Sequence, residues 1–247
     1  MDTTSLVLLS NQMALLRSVD VISNNIANSS TTGFKREGIQ FETWMSRPTS
    51  KQSTSFVFDK ATYRDMTPGT ISTTGNPLDL AIQGKGYFQI QTPTGVQYTR
   101  DGAFRTDDQG QIVTSSGMPV LSDGGQPLVL PAIATDVTIA GDGFITAQVG
   151  TSPTRAQLGK IGVVQFDNDE AVTPTNNGLL TTTQAPQPVV GSNVLVQGAV
   201  EESNVKPVLE ITDLIRMQRA YEQASNLIGQ KNTQMSDAID KLSSVSS

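Results

Sequence analysis

The amino-acid sequence predicts a mostly β protein with α-helical termini, and three observations support this fold class. Apolar residues recur at helical spacing near both ends of the chain. Turn signals interrupt the middle of the chain at intervals of roughly 8–12 residues or somewhat more. Thr, Ser, Gln, Asn and Gly are abundant, and only 16% of the residues are charged, which suits β structure. We therefore expect an antiparallel β core domain, with paired N- and C-terminal helices forming a coiled-coil-like assembly domain.

The N-terminal segment, residues 1–33, is predicted to be an assembly helix from about Thr4 to Asn28, followed by a helix stop. Its apolar residues fall on two lines along the helix. One line is Leu6, Leu9, Met13 and Leu16, and the other is Leu8, Leu15, Val19, Ile22 and Ile26. Because the helix has few charged residues, we expect it to be contacted on several sides, although a core helix of a soluble domain fits the residue pattern equally well.

The next segment, residues 34–61, shows little apolar periodicity and is predicted to be a linker or arm. It contains Trp44, the only tryptophan of the chain. No strand is predicted in it.

Residues 62–200 are predicted to form the β-rich core domain. Turn signals such as Gly75-Asn76-Pro77 and Gly141-Asp142-Gly143 separate short runs that fit strands. The strand candidates are residues 78–82, 87–91, 96–100, 111–114, 144–149, 158–166 and 193–200. Only short connections are available between them, so the sheet should be largely antiparallel.

The C-terminal segment, residues 201–247, is predicted to be a long assembly helix that starts near Asn204, the expected N-cap, with Pro207 in its first turn. Every seventh residue from Leu214 is apolar. This column is Leu214, Tyr221, Ile228, Met235 and Leu242, and its companion is Met217, Ala224, Lys231, Ala238 and Val245. We call the two columns the seam. A seam at the heptad period needs a partner helix, and the N-terminal helix is the expected one.

The predicted assembly interface combines apolar and small residues of both terminal helices. Its members are Leu9, Met13, Leu16, Ile22, Ile26, Leu214, Met217, Tyr221, Ala224, Ile228, Met235 and Leu242. The alternative is that the seam only closes a coiled coil within one chain.

The composition excludes most catalytic chemistry. The chain has no Cys and no His, which removes disulfides, thiolate nucleophiles, the usual general base and the commonest zinc ligands. The net charge of −6 argues against a nucleic-acid surface. We therefore predict no enzyme, no catalytic residue, no cofactor and no metal site.

Three weaker signals have ordinary explanations. Gly84-Lys85-Gly86 lacks the ending of a phosphate loop and is predicted to be a hairpin turn. Asp167-Asn168-Asp169-Glu170 lacks the spaced oxygen ligands of a calcium loop and is predicted to be an exposed turn. The N-terminus carries Asp2 instead of a basic region, and no apolar run is long enough to span a membrane, so neither a cleavable signal nor membrane insertion is expected.

Three stretches resemble the rod and hook axial proteins of the bacterial flagellum, and they extend over nearly the whole chain. The first is 23–28 followed by 31–35, the second is 75–88 with 98–104 and 110–117, and the third is 198–204 with 218–222. The family-motif residues are Asn24, Asn25, Ala27, Asn28, Thr32, Gly33, Phe34, Gly84, Gly86, Phe88, Thr99, Arg100, Gly102 and Phe104.

This resemblance implies a structural subunit of the basal-body rod, located within the periplasm and exported by the flagellar type III apparatus. Its implied partners are copies of itself and other rod subunits, both proximal and distal, with no nucleic acid. Residues 65–69 and 203–208 resemble the proximal-rod type, whereas residues 218–222 are closer to the distal-rod type. We expect the proximal type, with the distal type as the alternative. Interpretations from other classes are a carbohydrate-active enzyme on a β scaffold and a secreted fibre or adhesin subunit.

Overall fold

The computed structural model describes residues 3–46, 54–150, 154–175, 178–189 and 194–245. The chain forms two units, and each is assembled from separate stretches of sequence. The helical unit consists of Met1–Ala27, Glu37–Asp65 and Val205–Ser247, and the β unit consists of Asn28–Arg36 and Met66–Asn204. The chain therefore passes between the two units four times, after residues 27, 36, 65 and 204.

The described residues of the helical unit form two helices and one long β-hairpin. Helix α1 spans Thr3–Ala27 and helix α2 spans Pro207–Val245, with strands β1 (Glu37–Ser46) and β2 (Thr54–Arg64) between them in sequence. Helix α1 packs against α2 and against both strands. The predicted terminal helices are confirmed. Pro207 is the first residue of α2. The predicted N-cap at Asn204 was wrong, because the backbone N–H of Glu210 donates to the carbonyl of Lys206 (3.1 Å), which makes Lys206 the N-cap.

The hairpin lies in the segment for which no strand was predicted. β1 and β2 pair antiparallel from Glu37↔Arg64 to Ser46↔Thr54, and the register shifts between Gln40 and Phe41. Such a bulge inserts an extra residue and breaks the period-two alternation that reveals a strand in sequence. The side chain of Trp44 lies outside the part of the chain whose side chains are described.

The described residues of the β unit form fifteen named strands. They are β3 (Ile71–Thr73), β4 (Leu80–Ile82), β5 (Tyr87–Thr92), β6 (Gly95–Thr99), β7 (Arg105–Thr106), β8 (Ile112–Val113), β9 (Ala134–Ile139), β10 (Phe144–Val149), β11 (Arg155–Lys160), β12 (Val163–Gln165), β13 (Thr173–Pro174), β14 (Leu180–Thr181), β15 (Gln187–Pro188), β16 (Leu195–Gln197) and β17 (Ala199–Glu201). A short 3-10 helix, Asp169–Ala171, overlaps the second half of the predicted turn at residues 167–170.

All pairings between these strands are antiparallel, as predicted. The largest sheet has the order β13-β14-β6-β5-β12-β15, and β11-β10-β9 form a second sheet. Three further pairs are β16 with β4, β17 with β3 and β7 with β8. The prediction of a hairpin turn at Gly84-Lys85-Gly86 was wrong. This turn joins β4 to β5, which pair with other strands and not with each other.

The core of the β unit lies between these sheets. Phe88 and Phe104 meet edge to face with ring centroids 5.0 Å apart, and both are almost completely buried. Aliphatic side chains from six strands and several loops surround them. A second cluster centres on Phe166, which packs against Tyr87 and Tyr98. Burial in this cluster raises the pKa of the Tyr98 hydroxyl.

Candidate assembly surface and motif sites

The two terminal helices are antiparallel. Asn25, near the end of α1, donates from Nδ2 to Glu210 Oε2 near the start of α2 (3.3 Å). Because the helices also pack along their lengths, α1 runs back along the first part of α2. The pairing expected from the seam is therefore present within one chain.

Part of the predicted assembly interface is covered within the chain. Ala224 is buried, and its neighbours on the seam are half-buried. The covered or half-covered members of the predicted set are Ile22, Ile26, Leu214, Met217, Tyr221, Ala224 and Ile228. A small residue at position 224 fits a close approach between two helices.

Four of the five other predicted members are exposed. Leu9, Met13 and Leu16 are 48%, 64% and 45% exposed, and Leu6 on the same line is 38% exposed. We call these four residues the outer line. Met235 is 54% exposed, and the side chain of Leu242 lies outside the described part of the chain. The predicted set therefore divides into members that are covered within the chain and exposed members, which are Leu9, Met13, Leu16 and Met235.

A further apolar line on α2 was missed by the sequence analysis. Val208, Ile211 and Ile215 are 76%, 46% and 45% exposed. Their spacing of three and four residues is typical of one helix face. The line was not predicted because these residues belong to neither heptad column.

Helix α1 also satisfies the length and composition expected of a membrane span. The segment Leu6–Ala27 reaches a mean hydropathy of 1.2 over an 18-residue window, and 11% of that window is buried. Core helices and signal sequences near an N-terminus share these properties, so the expectation of no membrane insertion stays a prediction.

The motif residue Asn25 joins three segments of the helical unit. Its carboxamide is fully buried. Its Oδ1 accepts from the backbone N–H of Glu37 (2.9 Å), and its Nδ2 donates to the Glu37 carbonyl (2.8 Å) as well as to Glu210. One side chain thereby satisfies both backbone groups at the start of β1 and ties them to α2. Nearby, Asn28 closes the turn after α1 by accepting from Thr31 N–H (3.1 Å).

The motif around Gly33 docks within the β unit. The backbone N–H of Gly33 donates to the Glu201 carbonyl (2.7 Å), and the Thr32 hydroxyl donates to the Asp101 carboxylate. Gly33 has a φ of +68°, and a Cβ placed there would lie 2.4 Å from the Arg100 carbonyl carbon. Only glycine fits this position, both for its conformation and for the space.

A buried charge cluster lies beside this segment. The Glu201 carboxylate accepts from Lys35 Nζ (2.6 Å) and from the Gly69 N–H (2.9 Å), and it lies 3.5 Å from Arg100 Nε. The side chains of Lys35, Arg100 and Glu201 are only 5%, 4% and 1% exposed. Two cations therefore share one carboxylate in a place without solvent. We call these three residues the buried cluster.

Further hydrogen bonds link the ends of the segments that make up the β unit. Lys35 Nζ and Asn204 Nδ2 both donate to the Thr67 carbonyl (2.8 and 3.0 Å), and Asn204 Oδ1 accepts from the Arg36 N–H (2.7 Å). Residues 36 and 204 are the last of their segments, and Thr67 is the second of its segment. Three of the four points at which the chain enters or leaves the β unit are thus bonded together.

The remaining motif residues have structural roles in the β unit. Arg100 Nη2 donates to the Gly84 carbonyl (2.6 Å), and its guanidinium lies over the Tyr87 ring at 5.8 Å. Thr99 Oγ1 accepts from the Asp101 N–H (3.0 Å). A Cβ on Gly102 would lie 1.7 Å from the Leu80 carbonyl oxygen. The motif therefore preserves a turn and its packing and does not form a reactive site.

One important residue of the stretch 198–204 was harder to find from sequence. Glu201 carries the buried cluster, yet a single glutamate has no pattern that distinguishes it. Within the described ranges, no group of three or more His, Cys, Asp or Glu residues could hold a metal ion.

Three family models match separate parts of the chain. The description "Flagella basal body rod protein" matches residues 6–35, the D1 domain of the flagellar hook protein FlgE/F/G matches 81–147, and the C-terminal region of the flagellar basal body rod FlgEFG protein matches 196–242. The chain is 38% identical to the flagellar basal-body rod protein FlgF of Caulobacter vibrioides, covering 99% of this chain and 100% of that relative. The chain belongs to the flagellar basal-body rod proteins.

Other relatives carry the same description. A FlgF protein of Mesorhizobium japonicum is 40% identical over 97% of this chain and 98% of its own length. The FlgG protein of Caulobacter vibrioides is 38% identical over 92% of this chain and 94% of its own length. The rod protein is thus a structural subunit located in the basal body of the flagellum, and it is not an enzyme. These matches favour the rod interpretation over a carbohydrate-active enzyme or a secreted fibre.

Proposed function

We propose that this rod protein polymerises through its terminal helices into the axial drive shaft that transmits rotation for motility. The observation that carries the proposal is the exposed outer line, Leu6, Leu9, Met13 and Leu16. Residues 3–16 contain no charged side chain, so exposure of this face to water is unfavourable. A contiguous exposed apolar surface of this kind marks an interaction site.

The proposed roles differ between segments of the chain. Segments 1–33 and 201–247 act as the assembly helices, 34–61 as an arm and 62–200 as the core domain. The twelve predicted interface residues serve in two ways: the seam residues join α1 to α2 in a coiled-coil-like pair, and the outer line and Met235 meet neighbours. The family-motif residues hold the start of each segment in place, as the contacts of Asn25 and Gly33 illustrate.

The proposed partners are copies of the same chain and other rod subunits. Contacts between different surfaces of identical subunits do not close on themselves when the rotation between subunits does not close, and they then generate a filament. We place the rod protein in the periplasm after export by the flagellar type III apparatus, with its apolar helix covered by protein and not inserted in lipid. It takes no cofactor and binds no nucleic acid.

We assign the chain to the proximal type, supported by the FlgF relatives that cover almost its whole length. The distal type is the second candidate, because a FlgG relative reaches the same 38% identity over 92% of the chain. Complementation distinguishes the two. The gene should restore motility to a strain that lacks its own FlgF and not to one that lacks FlgG, and the reverse result would assign the distal type.

The assembly proposal is tested by adding one charge to the outer line. Met13→Asp should leave the helical circular dichroism of the purified protein unchanged, since Met13 is 64% exposed. It should abolish recovery of the protein in basal bodies and abolish motility, because assembly would bury the carboxylate. Asn11→Asp is the matched control. It lies about 200° around the helix from Met13 and should behave like wild type. Normal recovery of Met13→Asp in rods would refute the proposed role of the outer line.

A further inference from the structure

Helix α2 continues well beyond the helix that packs on it. Asn25 lies against Glu210, and the helices are antiparallel. Thr3 lies 22 residues before Asn25 and residue 232 lies 22 residues after Glu210, so α1 begins level with residue 232. Side-chain burial agrees. Ile228 and Lys231 are half-buried, whereas the described side chains from 232 onward are all exposed. Residues 233–245 of α2 extend past the start of α1 for about 20 Å. We call this extension the free end, a name that refers only to its position beyond α1.

The free end repeats the pattern that receives α1 inside the chain. On the seam, half-buried Tyr221 is followed three residues later by buried Ala224. Two heptads further on, Met235 is followed by Ala238, and both are exposed. A large side chain beside a small one accommodates an approaching helix. The same face of α2 therefore offers a second site of the same kind with no α1 upon it.

The outer line is a matching surface that the chain itself carries. From Leu6 to Leu16 it extends for about 15 Å, which fits within the length of the free end. The free end lies about 20 Å along α2 from the level of Met13, so the two surfaces of one chain cannot meet while α1 packs as observed.

We propose that the free end of α2 in one copy docks on the outer line of α1 in a second copy. This contact rests on the proposed assembly function and deepens it by naming both faces. It continues the seam of one chain into its neighbour, and it joins two different surfaces. In a pair of copies joined in this way, one copy still has an unused outer line and the other an unused free end. Further copies can therefore add to both ends, and the association extends head to tail.

Site-directed crosslinking tests this contact cleanly because the natural chain contains no cysteine. The test variant carries Met13→Cys and Met235→Cys and is expressed in cells from which basal bodies are purified. A short bis-maleimide linker is then added. We expect a product at twice the 26.3 kDa mass of the chain, since the two thiols lie on facing surfaces of neighbouring copies.

Two control variants move one thiol to the opposite side of its helix. They are Asn11→Cys with Met235→Cys, and Met13→Cys with Asp237→Cys, and each should lose the dimer. A missing dimer in the test variant, equal dimer in the controls, or linkage only to a different protein would overturn the contact. The amount of wild-type chain in the same basal bodies is measured separately. Its absence would refute the rod assembly itself, whereas its presence without the dimer would refute only the proposed contact.

Discussion

The buried cluster supplies a sharp test of what holds the β unit together. Glu201→Gln keeps the shape of the side chain and removes its charge, so Lys35 and Arg100 remain buried without a carboxylate. Removing one partner of a buried ion pair destabilises proteins by about 3–5 kcal/mol. The glutamine oxygen has two lone pairs and can still accept both hydrogen bonds that Oε1 accepts from Lys35 and Gly69, which favours the lower value, about 3 kcal/mol.

The expected change in melting temperature follows from the size of the β unit. For a unit of roughly 150 residues, 1 kcal/mol shifts the midpoint by about 2–4 °C, so Glu201→Gln should lower it by about 6–12 °C. Differential scanning calorimetry of the purified protein measures this shift. Glu202→Gln is the matched control, because Glu202 is the adjacent residue and is exposed. A surface change of this kind alters stability by no more than about 0.5 kcal/mol, so the midpoint of Glu202→Gln should shift by no more than about 2 °C.

A double-mutant cycle separates the ion pair from the loss of a single side chain. Lys35→Met combined with Glu201→Gln should cost less than the sum of the two single changes, because the partners share one interaction. A Glu201→Gln midpoint equal to wild type would show that the cluster does not stabilise the unit. Strict additivity in the cycle would show that Lys35 and Glu201 act independently.

Two further changes test the motif residues. Gly33→Ala should destabilise the β unit by more than about 1 kcal/mol. Gly75→Ala should destabilise it less, because Gly75 has a similar positive φ (+77°) but nothing within 4 Å of an added Cβ. Equal losses of stability in calorimetry would mean that crowding at Gly33 has no effect. Asn25→Ala should destabilise the helical unit by about 1–3 kcal/mol, since it removes the carboxamide that bonds both backbone groups of Glu37. Asn11→Ala, at an exposed position of the same helix, should have little effect. Thermal melts followed by helical circular dichroism would contradict this if the two variants unfolded together.

The helices could be predicted from sequence because their apolar spacing reports directly on burial. The predicted limits, about 4–28 and 204–245, differ from Thr3–Ala27 and Pro207–Val245 by at most three residues. The seam predicted which face of α2 is covered as far as residue 231. Sequence could not show where the cover stops, since the heptad pattern continues unchanged through Met235.

The strands were predictable where side chains alternate between core and solvent. The candidate 144–149 coincides with β10. The candidate 158–166 is two strands, β11 and β12, because Gly162 brings its backbone close to the Ser122 carbonyl, with only 2.8 Å from an added Cβ to that oxygen. Such a constraint comes from a distant residue and leaves no local pattern.

The motif residues were recognised before their roles were known. Gly33 and Arg100 belong to separate motifs, and no local pattern indicates that their backbones lie in contact. Glu201 lies in the stretch 198–204 but was not predicted as a site residue, because its partner Lys35 is 166 residues away and an isolated acidic residue resembles any surface residue. Long-range pairing of this kind depends on topology, which periodicity does not report.

The repeated passage of the chain between the two units affects the order in which they can form. Neither unit is a continuous segment, and both need residues near or after Ala199. During synthesis, α1 is made first but its partner α2 follows the entire β unit, so the contact between them has a very long loop to close. The strand that carries Glu201 likewise pairs with β3 only after some 130 intervening residues have been made. The β unit of a growing chain therefore stays incomplete until residue 204 has been made, and the helical unit stays incomplete until α2 follows. The apolar surfaces of both units remain unpaired for most of the synthesis.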